Sequence, residues 1–197
     1  MNMNTLTAKK GFTLIELLIV IAIIAILATA VILLLNPAAL LAQARDSQRI
    51  SDLDTMRTAI SLYLSTVTFT SAPGYMGAAA NCYVMPAIGS GTGCLGRNVI
   101  KTNLSTNSTA VTGAGWLPVN FGAMPGGSPL SVLPKDPVNN TTSLFYSYST
   151  DGLNLFELNA NMESVRYANA GSDDAESTDG GNNADIREVG NAPGLAL

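Results

Sequence analysis

The chain has 197 residues, of which 47% are hydrophobic and 12% are charged, and its formal net charge is −4. Because soluble globular domains carry about 25% charged residues, this composition predicts an apolar segment outside a soluble domain. The acidic balance argues against nucleic acid as the main partner, since such binding depends on cationic side chains. The absence of His and of any motif that pairs a nucleophile with a base argues against an enzyme.

The first predicted element is an apolar helix over residues 12–35, FTLIELLIVIAIIAILATAVILLL, in which Glu16 is the only charged residue. As a helix this segment would be about 36 Å long, enough to cross a hydrocarbon core of about 30 Å. A core helix of a soluble domain would keep a polar stripe, which is missing here. We therefore predict a single membrane span.

The flanks of this segment predict its orientation. Lys9 and Lys10 precede it, and positive charge next to a span favours a cytoplasmic N-terminus and an exported C-terminal part. The alternative is a secretory signal cleaved after the small residues at 28–30, although the apolar run continues to Leu35, beyond the usual length of such a signal.

The helical pattern continues beyond the span. Between Gly11 and Pro73 there is no Gly and a single Pro, Pro37, so residues 12–66 are predicted to form one long helix. Apolar residues in its second half recur at spacings of three and four and form one stripe: Ile50, Leu53, Met56, Ile60, Tyr63, Leu64 and Val67. Oppositely charged pairs such as Asp46 and Arg49 are interpreted as a solvated helix face.

Pro37 interrupts the predicted helix, because its ring nitrogen cannot donate to the carbonyl of Leu33 and its ring crowds that carbonyl. We expect a kink around Leu33–Pro37; the alternative is a helix end at the membrane surface.

Residues 9–28, KKGFTLIELLIVIAIIAILA, combine basic residues, a Gly, an aromatic residue, a spaced Glu and an uninterrupted apolar run. This combination resembles the N-terminus of type IV pilins and of the pseudopilins of type II secretion. The resemblance implies that a prepilin peptidase cleaves between Gly11 and Phe12 and methylates Phe12, so that residues 1–11 are a leader peptide. It also implies that Glu16 pairs with the N-terminal ammonium of a neighbouring subunit during assembly.

The function that the resemblance implies is that of a structural subunit, a pilin, in a type IV pilus-like surface filament. The alternative is a pseudopilin of a type II secretion or DNA-uptake machine. The implied partners are further copies in a helical filament, the prepilin peptidase and a membrane assembly platform. Before assembly the chain would be a single-pass membrane protein, and afterwards a subunit at the cell surface.

Residues 67–197 are predicted to form an exported β-rich head. Residues 143–160 indicate a β-hairpin with its turn at Thr150–Gly152, and residues 186–190 indicate a last strand. Residues 133–137 and the hairpin weakly resemble the sheet region of some pilins and major pseudopilins. The predicted fold is α+β, with a small antiparallel sheet on the amphipathic half of the long helix and long loops at 76–114 and 168–185.

Cys82 and Cys94 are the only cysteines, and an exported domain favours a disulfide between them over two free thiols or half a metal site. No cofactor is predicted. The acidic loop that contains Asp173, Asp174 and Asp179 is interpreted as solvated, with Ca²⁺ as the alternative, because major pseudopilins carry calcium in a C-terminal loop but the spacing does not match an EF-hand.

Overall fold

The computed structural model describes residues 11–67, 75–85, 94, 97–98 and 101–192. Lys9, Lys10 and the rest of the predicted leader except Gly11 lie outside the described residues. The chain divides into two compact units, Met1–Leu40 and Leu41–Leu197. The described part of the second unit, which begins earlier in the chain than the head predicted at 67–197, is called the head below.

Two helices replace the single helix predicted from the sequence. Helix α1 spans Leu14–Leu35 and helix α2 spans Pro37–Thr66. Between them Asn36 has a left-handed backbone with φ 41°, a conformation that Asn tolerates and that ends a helix. Pro37 is the first residue of α2, where its missing N–H would have had no partner within the helix. The break at Pro37 is therefore a helix end followed by a new start.

The strands are β1, Asn81–Met85, β2, Thr102–Ser105, β3, Tyr146–Thr150, β4, Phe156–Ala160, and β5, Arg187–Gly190. They form one five-stranded sheet in the order β2-β1-β3-β4-β5. A short 3₁₀ helix, Phe121–Ala123, lies between β2 and β3. The predicted hairpin is confirmed as β3 and β4, although its turn spans residues 151–155 rather than the predicted 150–152. The predicted last strand is confirmed as β5.

Two details of the predicted sheet are wrong. Strands β1 and β2 lie inside the stretch 76–114 that was expected to be a loop, and they pair in parallel, so the sheet is mixed. Parallel neighbours need a crossover of a dozen residues or more, and the chain between β1 and β2 is long enough to provide one. Neither strand is marked by a long apolar run, which is why the sequence pattern missed them.

One face of the sheet packs with α2 in the apolar core. The α2 residues Leu53, Met56, Ile60 and Tyr63 are buried, and so are Tyr148 and Leu158 of the sheet in the same cluster. The predicted apolar stripe of the helix therefore faces the core. Trp116, the only tryptophan, is buried in this cluster and donates from Nε1 to the carbonyl of Pro134 at 3.0 Å.

The opposite face of the sheet is polar but also buried. Its central positions, which alternate with the apolar ones, include Ser147, Ser149, Glu157, Asn159 and Glu188. Cys94, Arg97, Asn98 and Lys101 contact this face and exclude water from it. The head therefore has an apolar layer on one side of its sheet and a dry polar layer on the other.

Candidate functional site

The segment that carries the predicted cleavage site is exposed. Phe12 is 83% exposed, and the space around the Gly11 Cα is open. Thr13 has an extended backbone and serves as the N-cap of α1. The bond between Gly11 and Phe12 thus lies just outside the helix, in backbone that an enzyme could reach.

Glu16 and Thr13 form a capping box at the start of α1. The Glu16 amide donates to Thr13 Oγ1 at 3.2 Å, and Glu16 Oε2 accepts from the Thr13 amide at 3.1 Å and the Thr13 hydroxyl at 3.0 Å. This reciprocal arrangement satisfies donors that a helix start leaves free. The carboxylate is therefore held within its own chain, and its position in the first turn also suits the helix dipole.

Every described side chain of helix α1 is exposed, so none of them packs into a protein core. Residues Leu14–Ile32 have the length and mean hydropathy of a membrane-spanning helix, and none of this stretch is buried. Exposed apolar surface on this scale is far larger than the few hundred square ångströms usual for a soluble monomer. Helix α1 therefore requires a bilayer or other protein around it.

A buried ion cluster in the head corrects the interpretation of Asp46 and Arg49 as a solvated pair, because both side chains have 0% exposure. Arg49 donates from Nη1 to Asp46 Oδ1 at 2.7 Å, and from Nε and Nη2 to the two carboxylate oxygens of Asp136 at 2.7 and 3.0 Å. Glu163, whose other partner is Arg45, lies 3.4 Å from the same guanidinium.

The carboxylates of this cluster also hold loop backbone. Asp136 Oδ1 accepts from the amides of Val138 and Asn139, at 2.8 and 3.0 Å. Asp46 accepts from the amides of Glu163 and Ser164, at 2.9 and 2.7 Å. Helix α2 is thereby bonded to two distant loops.

The sequence did contain a signal for this cluster. Positions 42, 46, 49, 53, 56, 60 and 63 are all buried and alternate in spacing between four and three. Asp46 and Arg49 therefore extend the apolar stripe rather than face away from it, and a charge that continues such a stripe is expected to be buried and paired.

The ion pairs fix the charge states of the cluster. Burial disfavours the charged form of Arg49, but hydrogen bonds to Asp136 and Asp46 outweigh it and raise the arginine pKa. Burial likewise raises the pKa of Asp136, but the bonds from Arg49 and from the loop amides outweigh it and leave this pKa below its usual value. Both groups are therefore charged at neutral pH.

The predicted disulfide between Cys82 and Cys94 is present, with the two Cα atoms 6.1 Å apart. It fastens Cys94 to β1 on the polar face of the sheet. Close to it, Arg97 donates to the carbonyls of Ser143, Phe145 and Asn159, and its guanidinium lies 3.6 Å from the centre of the Phe145 ring. Burial lowers the pKa of Arg97 to about 9, so the group is still cationic at neutral pH.

The acidic loop uses its carboxylates to hold its own backbone. Asp174 accepts from the amides of Ala170, Glu176 and Ser177, at 2.9 Å each, and a hydrogen bond from the Ser177 hydroxyl is the main cause that lowers its pKa to about 2. Asp173 forms an ion pair with Arg166.

Asp179 accepts from the amides of Gly181 and Glu188, and so covers an N–H on the outer edge of β5. No group of three or more potential metal ligands converges within the described part of the chain. Calcium binding by Asp173, Asp174 and Asp179, the alternative to a solvated loop, stays untested.

Comparison with known families finds a match at the N-terminus of the chain. Residues 6–32 match the family model described as the prokaryotic N-terminal methylation motif. No curated protein and no solved structure matches the chain significantly. The matched residues include Gly11, Phe12, Glu16 and most of α1, whereas the head is not covered. The chain therefore carries the N-terminal signature of type IV pilins and type II secretion pseudopilins.

Proposed function

We propose that this chain is the structural subunit, a pilin, of a type IV pilus-like surface filament built from many copies of itself. The observation that carries the proposal is helix α1, which is apolar and exposed on every side and bears a single carboxylate in its first turn. A helix of this kind is typical of a protomer that is stored in a membrane and then packed against like helices. The chain is thus proposed to be a building element rather than an enzyme.

The apolar surface of α1 supplies the driving force for both locations. Burial of apolar surface contributes about 25 cal/mol per Å², so a 22-residue helix with no polar stripe is strongly disfavoured in water. In a bilayer the lipid tails cover it, and in a filament the α1 helices of neighbouring copies cover it. A membrane assembly platform would be needed to move protomers between these two environments.

Processing is proposed to precede assembly. A prepilin peptidase would cleave between Gly11 and Phe12, remove the leader with Lys9 and Lys10, and methylate the new N-terminal amine of Phe12. The product would be a chain of 186 residues that begins two residues before α1. Intact-mass measurement on purified surface material tests this step, and a chain that retains Met1 or is cleaved at Ala30 contradicts it.

Glu16 is proposed to select the axial register of assembly. In the free chain its carboxylate is exposed and bonded to Thr13. In a filament core without water an unpaired carboxylate is strongly unfavourable, and the ammonium of Phe12 from the incoming subunit would neutralise it. Apolar contacts alone would allow helices to slide, whereas this charge pair favours one position.

The test is to express Glu16→Ala, Glu16→Val and Glu16→Gln in the native host and count surface filaments. We expect processed protein in the membrane fraction, few or no filaments for Ala and Val, and an intermediate number at best for Gln. Thr13→Ala is the matched control, because it removes the capping box and retains the carboxylate. Normal filaments in Glu16→Ala, or equal loss in Thr13→Ala, would show that Glu16 acts only as a helix-start residue.

The same motif also occurs in pseudopilins, so a subunit of a secretion or DNA-uptake machine is the second candidate. Such a subunit forms a short, transient filament. Micrographs of sheared surface material at native expression separate the two: long fibres that contain this chain support the pilin, and their absence in cells that contain processed protein supports the pseudopilin.

A further inference from the structure

Two glutamates are buried side by side on the polar face of the sheet. Glu157 of β4 and Glu188 of β5 are each 1% exposed. In the register of the two strands Glu157 is opposite Gly190 and Glu188 is opposite Asn159, so the two carboxyl groups are diagonal neighbours on the same face. Diagonal neighbours are close enough for long side chains to meet.

The hydrogen bonds of these groups leave room for a proton between them. Glu157 Oε1 accepts from the side-chain amides of Asn159 at 2.8 Å and Asn98 at 3.5 Å. Glu157 Oε2 has no donor among the described residues, and the Glu157 carboxyl interacts with the carboxyl of Glu188. Two buried oxygens can lie against one another in this way only when one of them carries a hydrogen.

The charged groups around the pair do not replace this proton. Lys101 acts on Glu157 through its positive charge, but its Nζ donates to the carbonyl of Thr150 at 2.8 Å. Asp179 lies close to Glu188 and adds negative charge. The cationic residues Arg57 and Arg187 line a polar cavity of about 260 Å³ with Glu188, and within the described ranges neither forms an ion pair with it.

We propose that Glu157 and Glu188 share one proton, and that this proton fastens β5 and the adjoining stretch 176–183 to the sheet. Among the described strands, β5 lies at the edge of the sheet and pairs with β4 alone. The stretch ahead of it is bonded to the Glu188 carboxyl through the amide of Asn183, at 2.9 Å. Loss of the shared proton would therefore act on the last strand and on the loop that covers it.

The direction of the pH dependence follows from the two states. Burial is the main cause that raises the pKa of Glu157 to about 8, and burial also raises that of Glu188. When β5 opens, the carboxyls meet water and return to about 4.3. Opening thus releases a proton between these two values, so the opening constant is expected to rise about tenfold per pH unit up to about pH 8 and then level off.

Hydrogen exchange of the full chain in detergent micelles tests the proposal. Protection factors, which are corrected for the intrinsic exchange rate at each pH, are measured by mass spectrometry for the peptide that contains β5. We expect at least tenfold lower protection at pH 7.5 than at pH 5.5. In Glu157→Gln, whose amide can donate to Glu188 in place of the proton, we expect the two values to agree within about twofold.

Two further measurements make the test decisive. Glu163→Gln is the matched control, because the hydrogen bond from Arg45 lowers the pKa of that carboxyl; the variant should keep the wild-type pH dependence. Infrared spectra at pH 7 should contain a protonated-carboxyl band that is lost in Glu157→Gln. Glu176 is another buried carboxyl with a raised pKa, and it is present in the wild type and in both variants. Differences between their spectra or exchange rates therefore do not arise from Glu176.

The proposal is overturned if β5 protection in the wild type is the same at both pH values, or if Glu157→Gln loses protection with pH as the wild type does. If β5 is unprotected in Glu157→Gln at every pH, the same exchange measurement is made on Glu188→Gln. That measurement and the wild-type infrared spectrum then test the proposal. A wild-type spectrum at pH 7 without a protonated-carboxyl band would also exclude the shared proton.

Discussion

Helix α1 has 22 residues with one carboxylate, which is exposed and bonded to a residue three positions away. The head has the opposite arrangement: many of its ionisable side chains are buried, and some of these, such as Arg49 and Arg97, are bonded to residues far away in the sequence. Eight ionisable side chains are buried among the described residues: Asp46, Arg49, Arg97, Lys101, Asp136, Glu157, Glu176 and Glu188. The two parts of the chain therefore differ in how they use charge: α1 has one exposed carboxylate, and the head has buried ionisable side chains.

The difference reflects what surrounds each part. For α1 the surroundings are lipid or other helices, where each additional charge would need a partner from outside the chain. The head is rich in loops, whose buried backbone amides need acceptors that a small sheet cannot supply. Carboxylates of Asp46, Asp136 and Glu176 provide them, each accepting from two backbone amides. Charge in the head therefore acts as an internal cross-link.

The largest effect on the stability of the head is expected from Arg49→Met, which tests whether its buried charges act as cross-links. Removing the guanidinium leaves Asp46 and Asp136 buried without their cation, which is expected to lower the free energy of unfolding of the head by about 3–5 kcal/mol. Denaturant titration of the full chain in micelles measures it through the fluorescence of Trp116, which lies in the head only. Arg57→Met, on the same helix but exposed, is the control and should change stability by less than about 0.5 kcal/mol.

A second prediction concerns the disulfide of the polar face. Replacing both Cys82 and Cys94 by Ala is expected to lower the head stability by about 3 kcal/mol, because the link closes a short loop in the unfolded chain. Reduction of the wild type by a thiol should have a similar effect, measured by the same titration. A double variant as stable as the wild type under oxidising conditions would show that Arg97 and Lys101 hold this face without the covalent link.

The N-terminal part was predictable because its signals are local. Unbroken apolarity predicted α1, and turn residues between two alternating segments predicted the β3–β4 hairpin. Even so, the capping box was missed, although Thr13 and Glu16 have the required spacing of three residues. The sequence placed Glu16 near the helix start but did not show that its own chain already holds it.

The polar face of the sheet was not predictable, because its pairing joins distant residues. Arg97 contacts residues 46 to 64 positions away, and no periodic pattern marks it as buried. Strand β1 was not recognised in the sequence for the same reason, because its partners β2 and β3 are distant in the chain and contribute polar residues to one face of the sheet. Periodicity identifies apolar faces, so a buried polar layer escapes it.

Acid is expected to weaken the ion cluster without a mutation. The folded-state pKa of Asp136 is lowered, so the stability it contributes is fully present above its unfolded value of about 3.9 and is lost as the pH falls through the folded value. Head stability should therefore fall below about pH 4, by less than the change caused by Arg49→Met. In Asp136→Asn this part of the acid dependence should be absent, and an acid profile equal to that of the wild type would contradict the assignment.

The smallest expected effect concerns the start of α1. Thr13→Ala removes one partner of the capping box, which is expected to cost about 1 kcal/mol of local helix stability. Because 1.4 kcal/mol corresponds to a factor of ten, the Glu16 amide should exchange with solvent roughly fivefold faster in micelles, while exchange in the head stays unchanged. Thr13→Ser retains the hydroxyl oxygen and should preserve the wild-type rate. If Thr13→Ala has no effect on exchange, the Thr13 hydroxyl does not cap the Glu16 amide. If exchange is faster but filaments still form, the local cap and the intermolecular pair are separate roles of one carboxylate.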